Sequence, residues 1–160
     1  MFNVISGEVF LVTVFLSLLT LAAVMDLRSF KITNDINLAV GITALAYQLF
    51  FGEILIAIAF AACVLSAGFI LFAFKFLGGG DVKLLAAGSL FMGFEQGLSF
   101  LFFTAVFGGL FALVWVRTGF LRKILVYYGL PVEHDIPQVI PYGVAIAAAG
   151  FFVTWQKFVI

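Results

Sequence analysis

The chain has one cysteine, one histidine and no net charge, and each shortage removes a class of function. Cys63 alone forms no internal disulfide and no multi-cysteine zinc site. His134 lies between Glu133 and Asp135, but without a second histidine that run reads as a solvated loop rather than a metal site. Zero net charge gives nucleic-acid binding no electrostatic support. Charged residues make up only 10% of the chain, against about 25% in an ordinary soluble domain. With 65% apolar residues, 22 of all residues being Phe, no stretch is polar enough for a soluble domain. What remains is an integral membrane protein embedded in the lipid bilayer.

The expected fold is all-α: a polytopic bundle of about six transmembrane helices, each of roughly 20 residues with short connections, in one membrane-embedded domain over residues 1–160. The spans fall at 4–25, 36–51, 54–74, 82–94, 98–116 and 140–155. The first lacks a basic leading region and is too long for a signal-peptide core, so it is read as retained. Thr33, Asn34 and Asp35 offer N-caps to the second span. Cys63, Ser66 and Gly68 are small residues that permit close packing of the third. Gly52-Glu53 and Glu95-Gln96-Gly97 are the expected tight turns. The one sizeable connection, 118–138, suits a helix lying in the interface, with Phe120, Leu121, Ile124, Leu125 and Tyr128 opposite Arg122 and Lys123. Pro141 opens the last span as a first-turn proline.

Basic residues then orient the bundle. Arg28, Lys31, Lys75, Lys83, Arg117, Arg122 and Lys123 fall in or beside the odd-numbered connections, and only Lys157 does not. The positive-inside rule places those connections in the cytoplasm and both termini outside it. Asp26, ending the first span, and Asp81, starting the fourth, therefore emerge on the same side at similar depth.

Asp81 follows three glycines in Gly78-Gly79-Gly80-Asp81-Val82-Lys83-Leu84, where the flanking residues are otherwise fit for lipid. An ionisable group at membrane depth costs about 2.5 to 3.5 kcal/mol, which calls for a reason. Helix capping is one. Another is chemistry: the glycines allow positive φ and close approach of a substrate backbone. Two facing carboxylates can share a proton and activate a water between them, one as general base and the other, protonated, polarising a carbonyl. Helix ends favour the anion at Asp81 and disfavour it at Asp26, which makes Asp81 the expected base.

The run Asp26-Leu27-Arg28-Ser29-Phe30-Lys31-Ile32-Thr33-Asn34 resembles the first catalytic motif of type IV prepilin peptidases, and Gly78 to Leu84 resembles their second, the GxGD motif. Ile140-Pro141-Tyr142-Gly143-Val144-Ala145 is similar to the start of the last span in the short CpaA/TadV-type members. The resemblance implies an aspartic endopeptidase, with Asp26 and Asp81 catalytic, needing no metal or organic cofactor. Its implied action is removal of the leader from type IV prepilins, Flp-type pilins and pseudopilins at the cytoplasmic face of a bacterial inner membrane. The pilus assembly machinery is an implied partner. Thr33 departs from the proline that often precedes the asparagine in the family. Larger members carry an N-terminal cytoplasmic zinc domain with paired CxxC motifs and N-methyltransferase activity. Neither the length nor the cysteines for it are present, so peptidase activity without methylation is expected.

Other residues support the site or only the fold. Gly78 and Gly80 shape the second motif, and Lys83 either influences Asp81 through space or snorkels. Arg28 and Lys31 contact substrate or anchor the helix end in the interface. Asn34 and Asp35 orient the first loop or cap the second span. Glu8, near the outer face, is read as solvated or paired. Two rival functions remain open: a small proton-coupled transporter, which paired intramembrane carboxylates also suit, and a non-catalytic subunit of a pilus or secretion assembly. Cleavage deep within the bilayer is disfavoured because both Asp residues sit at span ends.

Overall fold

The computed structural model describes residues 2–118 and 140–159, and among them every regular element is a helix. These are α1 (Phe2–Ser29), α2 (Asn34–Phe51), α3 (Ile54–Ala73), α4 (Gly79–Thr118) and α5 (Tyr142–Val159). The expected interfacial helix with Arg122 and Lys123, and His134, lie outside the described residues. Three helices are long and apolar enough to cross a membrane, over Ser6–Ser29, Ile54–Ala73 and Gly79–Val114. The described helices therefore define a membrane protein, with fewer such helices than the six expected.

Part of the difference is that α2 and α5 are not among the three, and part arises in α4, where residues 82–94 and 98–116 were expected to be separate spans. Glu95, Gln96 and Gly97, expected to turn the chain, are helical, and the break falls at Gly93, with φ 71° and ψ −168°. Positive φ is costly for residues with a Cβ, so the reversal settles on the nearby glycine rather than on the polar cluster. The reversal is tight. A Cβ on Gly88 would lie 2.8 Å from the Phe100 ring, whereas 12 residues of straight helix would span about 18 Å. Gln48 of α2 supports the break by donating to the Phe91 carbonyl at 2.9 Å. That carbonyl lies just before the break, where the regular i+4 ladder is interrupted.

The core repeats every three or four residues. α1 contributes Val12, Phe15, Leu19 and Ala22, α2 contributes Ile36, Val40, Ala44 and Tyr47, and α5 adds Ile146, Ala149 and Val153. α4 places Phe91 between Phe15, stacked at 3.8 Å, and Tyr47 at 4.3 Å. α4 packs on α2, α3 and α5, and α1 packs on α2 and α5. α3 is peripheral: only Ala57, Val64 and Gly68 are buried, so Cys63 and Ser66 face outward instead of packing as expected. Gly68 does pack closely, since a Cβ there would meet Val82 Cγ1 at 2.7 Å. Outward-facing Leu55, Phe50, Phe69 and Trp155 present the apolar surface that lipid requires. Hydroxyls on exposed helix faces bond back to carbonyls four residues earlier, as Thr13 does to Val9 and Ser66 to Ala62.

Candidate active site

α1 runs one turn beyond its expected end, so Asp26 sits inside the last turn of the helix rather than after it. The helix stops when Phe30 adopts φ 52°, its N–H donating to the Asp26 carbonyl at 2.9 Å. Phe30, Lys31, Ile32 and Thr33 then cross to α2. Thr33 takes the N-cap position with extended backbone but makes no side-chain cap bond. Asn34 does not cap either; its Oδ1 accepts from Lys83 Nζ at 2.7 Å. Asp35 lies in the first turn of α2, where an acid complements the helix dipole.

Asp81 is the third residue of α4. Its Oδ2 accepts from the Gly78 N–H at 3.3 Å while the Gly78 carbonyl accepts from the Val82 N–H at 3.1 Å, half of a capping box. The capping role is therefore present, and it engages one carboxylate oxygen. None of the three glycines has positive φ; among the described glycines only Gly93 does. They are small for reasons of space. A Cβ on Gly80 would stand 3.1 Å from the Ile32 carbonyl oxygen, and one on Gly78 would stand 2.8 Å from Asp81 Oδ2. Gly80 thus lets the start of α4 press against the first loop, which brings the two motifs together.

The third element is α5. Gly143, in its first turn, donates its N–H to Asp26 Oδ2 at 2.7 Å across 117 residues of chain. Asp26 thus caps a helix to which it does not belong. Pro141, directly before the first helical residue, is fully buried and fixes the approach of the chain. Asp26 and Asp81 each sit at a helix N-terminus, that of α5 and that of α4. The α5 N-terminus thus offsets the effect of α1's C-terminus, from which alone Asp81 was the expected base.

Both carboxylates are buried, at 4% and 9% exposure, and both line a cavity of about 470 Å³ with Phe30, Lys31, Ile32, Thr33, Asn34 and the three glycines. The charge of Asp26 acts on Asp81. Of the other residues singled out in the sequence, Gly78, Gly80, Asn34 and Lys31 line this cavity, Lys83 reaches it through Asn34, and exposed Arg28 is not part of its wall. Two participants escaped the sequence reading. One is Asn37, whose Nδ2 donates to the Gly80 carbonyl at 3.2 Å. The other is the bond from the Gly143 N–H to Asp26: Pro141-Tyr142-Gly143 was expected to shape the entry of the last span near the site, but not to donate to a carboxylate.

At the other end of the bundle Glu8 is paired: its Oε1 accepts from the Tyr47 hydroxyl at 2.7 Å and lies 3.5 Å from Lys157 Nζ. Lys157 also donates to the Tyr47 oxygen.

Fold and site together define an all-helical membrane protein with two buried carboxylates at helix N-termini facing one cavity. The type IV leader peptidase family model matches residues 13–113, more than half of the chain, and the chain belongs to that family. It is a membrane peptidase. The match reaches from the first helix well into α4 and leaves α5, which supplies the Gly143 donor, outside it. No curated protein and no solved structure matches the chain significantly.

Proposed function

We propose that the chain is an aspartic endopeptidase that removes the leader peptide of type IV prepilins, Flp-type pilins or pseudopilins at the cytoplasmic face of a bacterial inner membrane, without N-methyltransferase activity. The observation that carries this reading is the convergence of Asp26 and Asp81 on one cavity, each held by a backbone N–H. The proposed architecture is six spans, with α4 contributing two about Gly93, both termini outside the cytoplasm and one catalytic domain over the chain. Prepilin substrates and the pilus assembly machinery are the proposed partners.

In the reaction the ionised carboxylate removes a proton from water, and the resulting hydroxide attacks the scissile carbonyl carbon. The protonated carboxyl gives its proton to the carbonyl oxygen, forming a neutral gem-diol. Collapse of the diol breaks the C–N bond, with the proton gained by the base passing to the leaving nitrogen and a diol proton returning to the other carboxylate. Because the pair shares one proton, it titrates as a unit, and the geometry allows either Asp to be the base. Hydrolysis needs an extended strand across the cavity, and the loops 30–33 and 74–78 flank its path.

The test is cleavage of candidate prepilins by the purified protein in bilayer nanodiscs, comparing wild type with Asp26→Asn and Asp81→Asn. Each substitution is expected to lower the rate by at least about 10²- to 10⁴-fold while leaving the protein folded. Activity that survives either change would remove the dyad, and a folded wild type that cleaves no prepilin would remove the substrate class.

A further inference from the structure

The geometry points to Asn37 as a positioning residue for Asp81 and as an acceptor for a main-chain N–H of the bound peptide, an inference that rests on the peptidase reading proposed above. Asn34 and Asn37 are three residues apart on α2 and so share a face. That face grips the start of α4 on both sides of Asp81: Asn37 Nδ2 donates to the carbonyl of Gly80, one residue before it, and Asn34 Oδ1 accepts from Lys83, two residues after it. The Gly80 carbonyl belongs to the peptide unit that joins Asp81. Holding that unit fixes the direction in which the Asp81 side chain leaves the backbone, while the Gly78 N–H holds its far end.

The second half of the inference comes from the other amide atom. A carbonyl oxygen only accepts, so the Asn37 nitrogen must face Gly80, which leaves Oδ1 as the free end. Asn37 is 7% exposed, and its Oδ1 is buried without a hydrogen-bond partner among the described residues. A buried acceptor left without a donor is destabilising, and such groups in native proteins commonly await a ligand or water. Asn37 also lines a second cavity, of about 420 Å³, with Asn34, Asp35, Leu38 and Lys83. Asn34 belongs to the walls of both cavities, so the second adjoins the first. Oδ1 itself is closed off from the cavity in the unbound protein, so the acceptor role requires a small turn of the Asn37 side chain on binding, which would offer Oδ1 to one of the N–H groups of a peptide extended along the wall. Lys31 and Asp26 are the other charged groups facing Asp81 across the first cavity, with Lys83 and Asp35 in the second.

The experiment compares wild type, Asn37→Leu, Asn37→Asp and Asp81→Asn in nanodiscs, with rates expressed per folded molecule. Leucine keeps the volume and removes both functions; an ionised aspartate keeps the acceptor and loses the donor. Both variants are expected to lower kcat at least about tenfold, as misplaced catalytic groups do. KM is expected to rise roughly three- to tenfold in Asn37→Leu alone, the worth of one hydrogen bond. A second readout needs no substrate: infrared titration of the carboxyl band that Asp81→Asn removes. Its midpoint is expected to move by about half a pH unit or more in Asn37→Leu, since the field at a carboxyl follows its position. An unmoved midpoint, or variants differing from wild type in stability alone, would overturn the positioning role; equal KM in leucine variant and wild type would overturn the acceptor role. If wild type cleaves no peptide, the peptidase proposal and the acceptor role with it fall, while the titration still decides the positioning.

Discussion

A methyl group on Gly143 would lie 2.9 Å from Asp26 Oδ2, 3.0 Å from Asp26 Cβ and 3.1 Å from Ile32 Cδ1. Each distance is shorter than ordinary contact, and Asp26 is anchored on a long helix, so the site has little room to give way. Gly143→Ala is therefore expected to reduce cleavage about 10- to 100-fold by displacing the carboxylate. It is also expected to lower stability by about 1–3 kcal/mol through overpacking. Gly41 and Gly109 make the contrast, because a Cβ at either meets nothing within 4 Å. Gly41→Ala and Gly109→Ala are expected to leave cleavage unchanged and to raise stability by at most about 1 kcal/mol, through the lower backbone entropy of alanine. Cleavage rates and unfolding midpoints in one nanodisc preparation check all three, and a fully active Gly143→Ala protein would show that the Asp26–Gly143 bond does not hold the carboxylate for chemistry.

The elements were legible where the signal was local. α2 and α3 begin and end within two residues of expectation because apolar runs meet Gly52-Glu53 at one boundary and Lys75 at another. Lys75 itself takes φ 61° after α3, with the Phe76 N–H donating to the Leu71 carbonyl at 2.9 Å, a Schellman end built without glycine. The break in α4 was misplaced by a few residues, since polar composition at Glu95-Gln96-Gly97 is visible in a sequence and a required positive φ at Gly93 is not. That Asp26 and Asp81 meet at one cavity was legible from two motifs, and the place of the last span near it from Pro141-Tyr142-Gly143, but the bond from Gly143 to Asp26 was not, because it spans 117 residues. At Gly93 the physical account is testable. A Cβ there would suffer positive φ and stand 3.2 Å from Gln48 Nε2, so Gly93→Ala is expected to cost about 1–2 kcal/mol. Gln48→Leu strands the Phe91 carbonyl and is expected to cost about 1–3 kcal/mol. Because the two residues touch, the double variant is expected to lose less than the sum, a departure of at least about 0.5 kcal/mol measurable by unfolding in detergent. Strict additivity would mean that Gln48 and the break are independent.

At the scale of the molecule, polar chemistry is divided between two ends. Glu8 and Asp26 lie on α1 about 27 Å apart at 1.5 Å per residue, close to the thickness of a hydrocarbon core of about 30 Å. The Asp26 end carries Arg28, Lys31, Lys75 and Lys83; the Glu8 end carries Glu53 and Glu95, with Lys157 as its one base among the described residues. That base, the exception to the charge asymmetry in the sequence, is neutralised by Glu8 at 3.5 Å. A paired lysine should weigh little in orienting the bundle, so the excess of bases at the Asp26 end is expected to hold that end in the cytoplasm, as proposed above. Single cysteines in a Cys63→Ala background test this with a membrane-impermeant maleimide on intact spheroplasts. Glu53→Cys and Glu95→Cys are expected to label from outside, whereas Thr33→Cys and Phe76→Cys are expected to label only after lysis. The reverse pattern would put the dyad on the outer face, where a leader peptide on the cytoplasmic side of its substrate cannot reach it, and would overturn the proposed substrate even if both Asp residues proved essential.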